Sequence, residues 1–138
     1  INKVVDGDTF RVNVNGKDTS IRLLAVDTPE SAGAYEENPM AFGKEASEYS
    51  KSLLLGKDVR LYIDGTDKYG RITAFVEVGG VDVGGQLVGE GLGRTRYEDM
   101  SQGNYTDRVE SYYNKEVEAI DANKGVWSQG LLNPHMNR

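Results

Sequence analysis

Residues 9–30, TFRVNVNGKDTSIRLLAVDTPE, contain two strands, the turn between them and a charged exit. Phe10, Val12 and Val14 alternate with Arg11 and Asn13, the period-2 pattern of a half-buried strand. Asn15–Gly16 follows at once, and both residue types tolerate the positive φ that a two-residue hairpin turn requires. The return strand over 19–26 sets Ile21, Leu23 and Ala25 on one side and Arg22 on the other. It ends in Asp27, Thr28, Pro29 and Glu30, where proline stiffens a turn carrying two acids. With Val4 and Val5 leading into Asp6–Gly7, residues 2–26 read as a β-meander.

Further along, Phe42, Ala46, Tyr49 and Leu53 recur at helical spacing and predict a helix over about 41–55, stopped by Gly56 at C′. Strand patterns return over 58–63 and 72–78, separated by the polar turn 65–70. Residues 83–92 suggest a short helix, against which Gly84, Gly85 and Gly89 each weigh about 1 kcal/mol relative to Ala. Val109, Tyr113, Val117 and Ile120 mark a final helix over about 107–123, with Thr106 expected as N-cap and Gly125 as C′. Trp127 is expected as a core plug, and His135 lies in an expected solvent-exposed tail. Five short antiparallel strands with one inserted helix, followed by helices, predict an α+β fold of OB type: a five-stranded Greek-key barrel with about three α-helices. We expect one domain over 1–138, with the barrel over about 2–83, a helical part over about 84–128 and a tail over 129–138.

Composition narrows function. The net charge is −6, from 16 basic and 22 acidic residues, so passive backbone binding to nucleic acid is disfavoured. An acidic protein that handles phosphates needs a local positive site or a bound cation. There are no cysteines, which excludes a disulfide framework and a thiolate zinc site. No apolar run approaches transmembrane length, so no membrane insertion is expected. The chain begins at Ile1 instead of Met, from which we expect a removed leader.

Three short segments hold convergent charge: Asp6–Gly7–Asp8–Thr9, Asp27–Thr28–Pro29–Glu30 and Thr66–Asp67–Lys68–Tyr69–Gly70–Arg71. Each alone reads most simply as a polar turn. Ca²⁺, however, takes carboxylates and backbone carbonyls on irregular backbone, which Asp8, Asp27 and the Thr28 carbonyl would supply. Glu30 would act through a water. Arg71 offers a planar fork to a phosphate, with Lys68 and Tyr69 beside it, and Arg22 is a second such fork. Together they make a set for metal-assisted phosphodiester hydrolysis: acids for a metal, an acid for water, and arginines for the phosphate.

The strings DGDT, RLLAVDTPE and TDKYGR, in this order and spacing, resemble the staphylococcal nuclease (thermonuclease-like) family, and GLGRTRY and the closing GVWS extend the likeness over about 2–128. The resemblance implies a nuclease that uses one Ca²⁺ ion and hydrolyses DNA and RNA, preferably single-stranded or unstacked, at the P–O5′ bond to leave 3′-phosphates. It implies Asp8, Asp27 and the Thr28 carbonyl as metal ligands, and Arg22 and Arg71 as phosphate-binding catalytic residues. It further implies Glu30 as general base, and Lys68, Tyr69 and Tyr97 as the nucleotide pocket. A monomer, secreted or held at the cell envelope, is expected. Asp99 stands where a second pocket tyrosine is expected, and the 31–40 loop is acidic where the best-known member is lysine-rich. The alternative is a catalytically weak nucleic-acid-binding or interaction module of the same fold, which would be expected to lack one of these acids or arginines.

Overall fold

A computed structural model describes residues 1–29, 41–96 and 106–129. The first three strands are β1 (Lys3–Asp6), β2 (Thr9–Val14) and β3 (Lys17–Leu23), paired antiparallel in sequence order. Asn15 and Gly16 have φ of 52° and 83°, so the Asn-Gly turn forms as its chemistry predicts and fixes the register Val14↔Lys17. That register sends Phe10, Val12, Ile21 and Leu23 into the core. Fully burying side chains of this size contributes roughly 1.5–3 kcal/mol each.

At Leu24–Ala25 the chain turns, with Ala25 left-handed at φ 62°, and enters β4 (Val26–Asp27). Helix α1 (Gly43–Leu54) and β5 (Arg60–Thr66) come next, followed by β6 (Ile72–Val78). β6 lies antiparallel to β5 on one side and parallel to β3 on the other, with Ile21↔Ile72, Arg22↔Thr73 and Leu23↔Ala74 in register. A parallel pair needs a long crossover, and the segment carrying α1 and β5 provides it. The sheet path is β1-β2-β3-β6-β5, with β7 (Val81–Asp82) added to β6. β4 pairs separately with β8 (Arg94–Thr95). The α+β, barrel-like fold is as expected, with three α-helices among the described residues, but the sheet is mixed where five antiparallel strands were expected, because β3 and β6 run parallel.

In α1 the buried line is Ala46, Ser50 and Leu54, with Tyr49 and Leu53 packed beside it. Phe42 is not part of the helix; it is the N-cap at φ 66°, whereas Gly56 takes the positive φ expected of it. Despite its glycines, α2 (Val83–Gly89) does form. Gly84 is needed there, because a Cβ would stand 2.7 Å from the Tyr112 hydroxyl and 3.1 Å from Val26 Cγ2.

In α3 (Thr106–Asp121) the expected stripe is corrected. Tyr112, Glu116 and Ala119 face inward, and of the expected stripe Val109 packs against the core while Tyr113 and Val117 are exposed. Two stripes one residue apart compete in this sequence, and tertiary partners decide between them. The Tyr112 hydroxyl donates to Asp82 Oδ1 at 2.7 Å and its ring meets Phe75 edge-on, while Glu116 accepts the Thr95 N–H at 2.8 Å. Thr106, expected as N-cap, is the first described residue of α3, and the residues before it lie outside the described ones. The left-handed position after α3 falls to Asn123 at φ 53°, with the Lys124 N–H bonded back to the Ala119 carbonyl. Gly125, the expected C′ residue, instead packs its backbone against Gly91, too close for a Cβ on either. Trp127 is buried as expected. No described helix is long and apolar enough to cross a membrane.

Candidate functional site

Asp8 follows the tight β1–β2 turn. Gly7 leaves no room for a side chain, since a Cβ would stand 3.0 Å from Ala46 Cβ and from the Thr28 side chain. Ser50 of α1 donates to the Gly7 carbonyl at 2.6 Å, which seats the turn on the helix. Asp8 is therefore buried with its geometry fixed: Oδ1 accepts the Thr9 hydroxyl at 3.0 Å, and Oδ2 accepts the Thr28 N–H at 2.9 Å.

Arg22, also buried, ties the acids together. Its Nη1 donates to the carbonyls of Leu23 at 2.7 Å and Val26 at 2.6 Å, spanning the turn in which Ala25 is left-handed. A non-glycine residue in that region persists when surrounding bonds over-determine it, and these two do. Nη2 lies 3.3 Å from Asp27 Oδ1 and 3.5 Å from Asp8 Oδ2. Two carboxylates thus face one guanidinium nitrogen. Arg94, directly across the β4–β8 ladder from Asp27, reaches Oδ2 of that acid at 3.6 Å.

The β5–β6 loop carries the other cation. Asp67 Oδ1 accepts the N–H groups of Tyr69 and Arg71, each at 2.9 Å, and Oδ2 accepts Arg71 Nε at 2.7 Å. Burial alone would raise the Asp67 pKa, but these bonds and the Arg71 charge outweigh it and hold the carboxyl below its ordinary value. Arg71 keeps both Nη groups uncommitted among the described residues. The Tyr69 ring is exposed, with Lys68 Nζ 5.2 Å and the Arg71 guanidinium carbon 5.3 Å from its centroid. Arg71 precedes the residue paired with Ile21, so the β3–β6 register sets it on the same side of the sheet as Arg22, two residues along.

The structure therefore brings Asp8, Arg22, Asp27 and Thr28 together and places Arg71, Lys68 and Tyr69 on the neighbouring strand loop. Glu30 and Tyr97 lie outside the described residues, as do the 31–40 loop, Asp99 and His135. Two residues escaped the sequence reading. Asp67 was signalled by its i, i+4 spacing from Arg71, and Arg94 sits within the quoted GLGRTRY. An open groove of about 380 Å³ lined by Asp58, Val59, Arg60, Glu77, Gly79 and Gly80 shares no residue with this constellation.

Residues 20–129 match the family described as staphylococcal nuclease homologue. The chain belongs to that family. It is 39% identical over 98% of its length to the uncharacterized protein pXO1-141 of Bacillus anthracis, 35% identical over 91% to a thermonuclease of Staphylococcus hyicus, and 34% identical over 94% to endonuclease YncB of Bacillus subtilis strain 168. It spans 64%, 73% and 61% of those three proteins, respectively.

The family implies a calcium ion, and the donor set can be tested against it. No group of three or more carboxylate, imidazole or thiolate side chains stands together among the described residues. The chemistry nevertheless fits. Asp8 and Asp27 are hard oxygen donors converging on one positive charge, and the Thr28 backbone is bonded to Asp8. Thr28 Oγ1 is a buried hydroxyl with no partner among the described residues, in contact range of the same turn. A buried polar atom left unpaired beside two acids suits an oxygen-liganded ion or the water it holds.

Proposed function

We propose that this chain is a calcium-dependent nuclease that hydrolyses phosphodiester bonds of DNA and RNA, cleaving P–O5′ and leaving 3′-phosphates. The observation that carries the reading is the shared position of Arg22, between Asp8 and Asp27, with Arg71 on the same side of the paired β3 and β6. Such a site holds an anion against a cation, as phosphodiester hydrolysis requires.

Asp8, Asp27 and the Thr28 carbonyl would hold the Ca²⁺, which when bound supplies charge neutralisation of a phosphate oxygen and a polarised water. Arg22 presents Nε, uncommitted among the described residues, to the phosphate, while its Nη2 faces Asp8 and Asp27. Arg71 presents its Nη pair, steadied by Asp67 at Nε. Donors fixed before the reaction stabilise charge developing on the equatorial oxygens without reorganising. Glu30 accepts the proton of the attacking water. Lys68, Tyr69 and Tyr97 form the nucleotide pocket, with Tyr69 offering an exposed face for stacking.

The test is incubation with single-stranded DNA across a Ca²⁺ titration and with excess chelator. Cleavage that needs Ca²⁺ and leaves 3′-phosphate ends is the expected result. Binding without cleavage at any Ca²⁺ concentration would replace this reading with that of an interaction module.

A further inference from the structure

Asp27 is shared by two arginines, one per carboxylate oxygen, and the two are held very differently. Arg22 is locked by carbonyl bonds of 2.7 and 2.6 Å and its side chain is 10% exposed. Arg94 touches Asp27 only at 3.6 Å, and its side chain is 42% exposed. No described residue other than Asp27 holds the Arg94 guanidinium. When a cation competes for Asp27, Arg22 cannot leave without opening the Leu23–Val26 turn. Arg94 can swing out at little cost, because an exposed ion pair at this distance is weak.

We propose that Arg94 is a releasable counter-ion of Asp27, which opposes cation entry in the free protein and, once displaced, binds a phosphate of the polynucleotide next to the one at Arg22. The proposal rests on the nuclease reading for the identity of the ligand. Charge makes the occupant specific. The protein carries −6 overall, so a polyanion approaching it needs positive groups at the site itself. Arg94 supplies one, with its backbone held beside β4 by the ladder to Asp27 and by the bond of the Arg96 N–H to the Ala25 carbonyl at 2.8 Å. The consequence is coupling: cation and polynucleotide each favour the state in which Arg94 has left Asp27, so each raises the affinity for the other.

The experiment compares wild type with Arg94→Gln and Arg94→Lys, whose melting temperatures check that folding is retained. Calorimetric titration of Ca²⁺ into the free protein should show roughly three- to tenfold tighter binding for Arg94→Gln, from removal of a like charge a few ångströms away. Arg94→Lys should return towards wild type. Binding of a phosphorothioate single-stranded oligodeoxynucleotide to the Ca²⁺-loaded protein should lose about 0.7 from its log–log salt slope in Arg94→Gln, the mark of one phosphate contact. Unchanged Ca²⁺ affinity overturns the proposal, and so does an unchanged salt slope. Both readings are equilibria and stand apart from turnover. Cleavage with neither shift keeps the nuclease and removes this role for Arg94. Both shifts without cleavage keep the role and remove the nuclease.

Discussion

Replacing Gly84 with alanine sets two effects of known size against each other. Gly84 lies in the first turn of α2, where helix propensity alone favours alanine by about 1 kcal/mol. The new methyl, however, would stand 2.7 Å from the Tyr112 hydroxyl and 2.9 Å from Cζ of that ring. Tyr112 cannot step aside cheaply. It is 1% exposed, packs edge-on against Phe75, and donates to Asp82, which also pairs with Arg108. Overpacking of this kind costs about 1–3 kcal/mol, and disturbing a hydrogen bond to a charged acceptor costs about 1.5–3 kcal/mol more. The clash wins, leaving a net loss of roughly 2–4 kcal/mol, or a fall of about 5–15 °C in Tm for a domain of this size. Differential scanning calorimetry reads it directly. Gly89→Ala is the control: nothing lies within 4 Å of its added methyl, so stability should hold or rise by up to about 1 kcal/mol. A Gly84→Ala protein as stable as wild type would refute the packing assigned to α2 and α3.

Three further outcomes are expected. Arg71→Ala should lower kcat/KM on single-stranded DNA by about 10²–10⁴-fold with Tm held within a few degrees, and near-wild-type turnover would remove Arg71 from the phosphate clamp. Asp67→Asn should flatten acid unfolding. A carboxyl held below its ordinary value adds stability above the unfolded pKa near 4 and loses it as pH falls through the folded value, so Tm measured from pH 6 to pH 2 should fall less steeply in the variant. A nucleoside 3′,5′-bisphosphate with Ca²⁺ should add about 2.7 kcal/mol of stability at a hundred times its Kd, read as a higher Tm. An unchanged melting temperature with both present would count against a joint cation–phosphate site.

What could be read from sequence was what is local. The Asn15–Gly16 turn and the alternation around it depend on residues within a few positions of one another, and β2 formed as read; the return strand expected over 19–26 instead starts at Lys17 and breaks after Leu23, where Ala25 is left-handed and Arg22 holds the turn. The acids at Asp8 and Asp27 were visible as a spacing of residue types, and the Gly7 and Asp8 turn brought them together. Distant partners were not visible. Nothing in α3 alone tells Tyr112 from Tyr113 as the inward ring, because Phe75 and Asp82 make the choice from another part of the chain. The glycines of α2 looked like a weakness until Tyr112 was seen to need the space above Gly84. Asp67 and Arg94 were hidden for a similar reason: an acid in a polar turn and an arginine in a short strand acquire roles only through the groups they face.

Arg22 closes the turn after β3 as well as facing the acids, and that double duty bears on how such a site would decay over generations. A lineage released from selection for cleavage could discard Arg71, whose side chain supports only its own loop, long before it could discard Arg22, whose loss would open the chain at Leu23–Val26. An arginine at position 22 is thus a poor witness to activity among descendants of this protein. Position 71 is the better one.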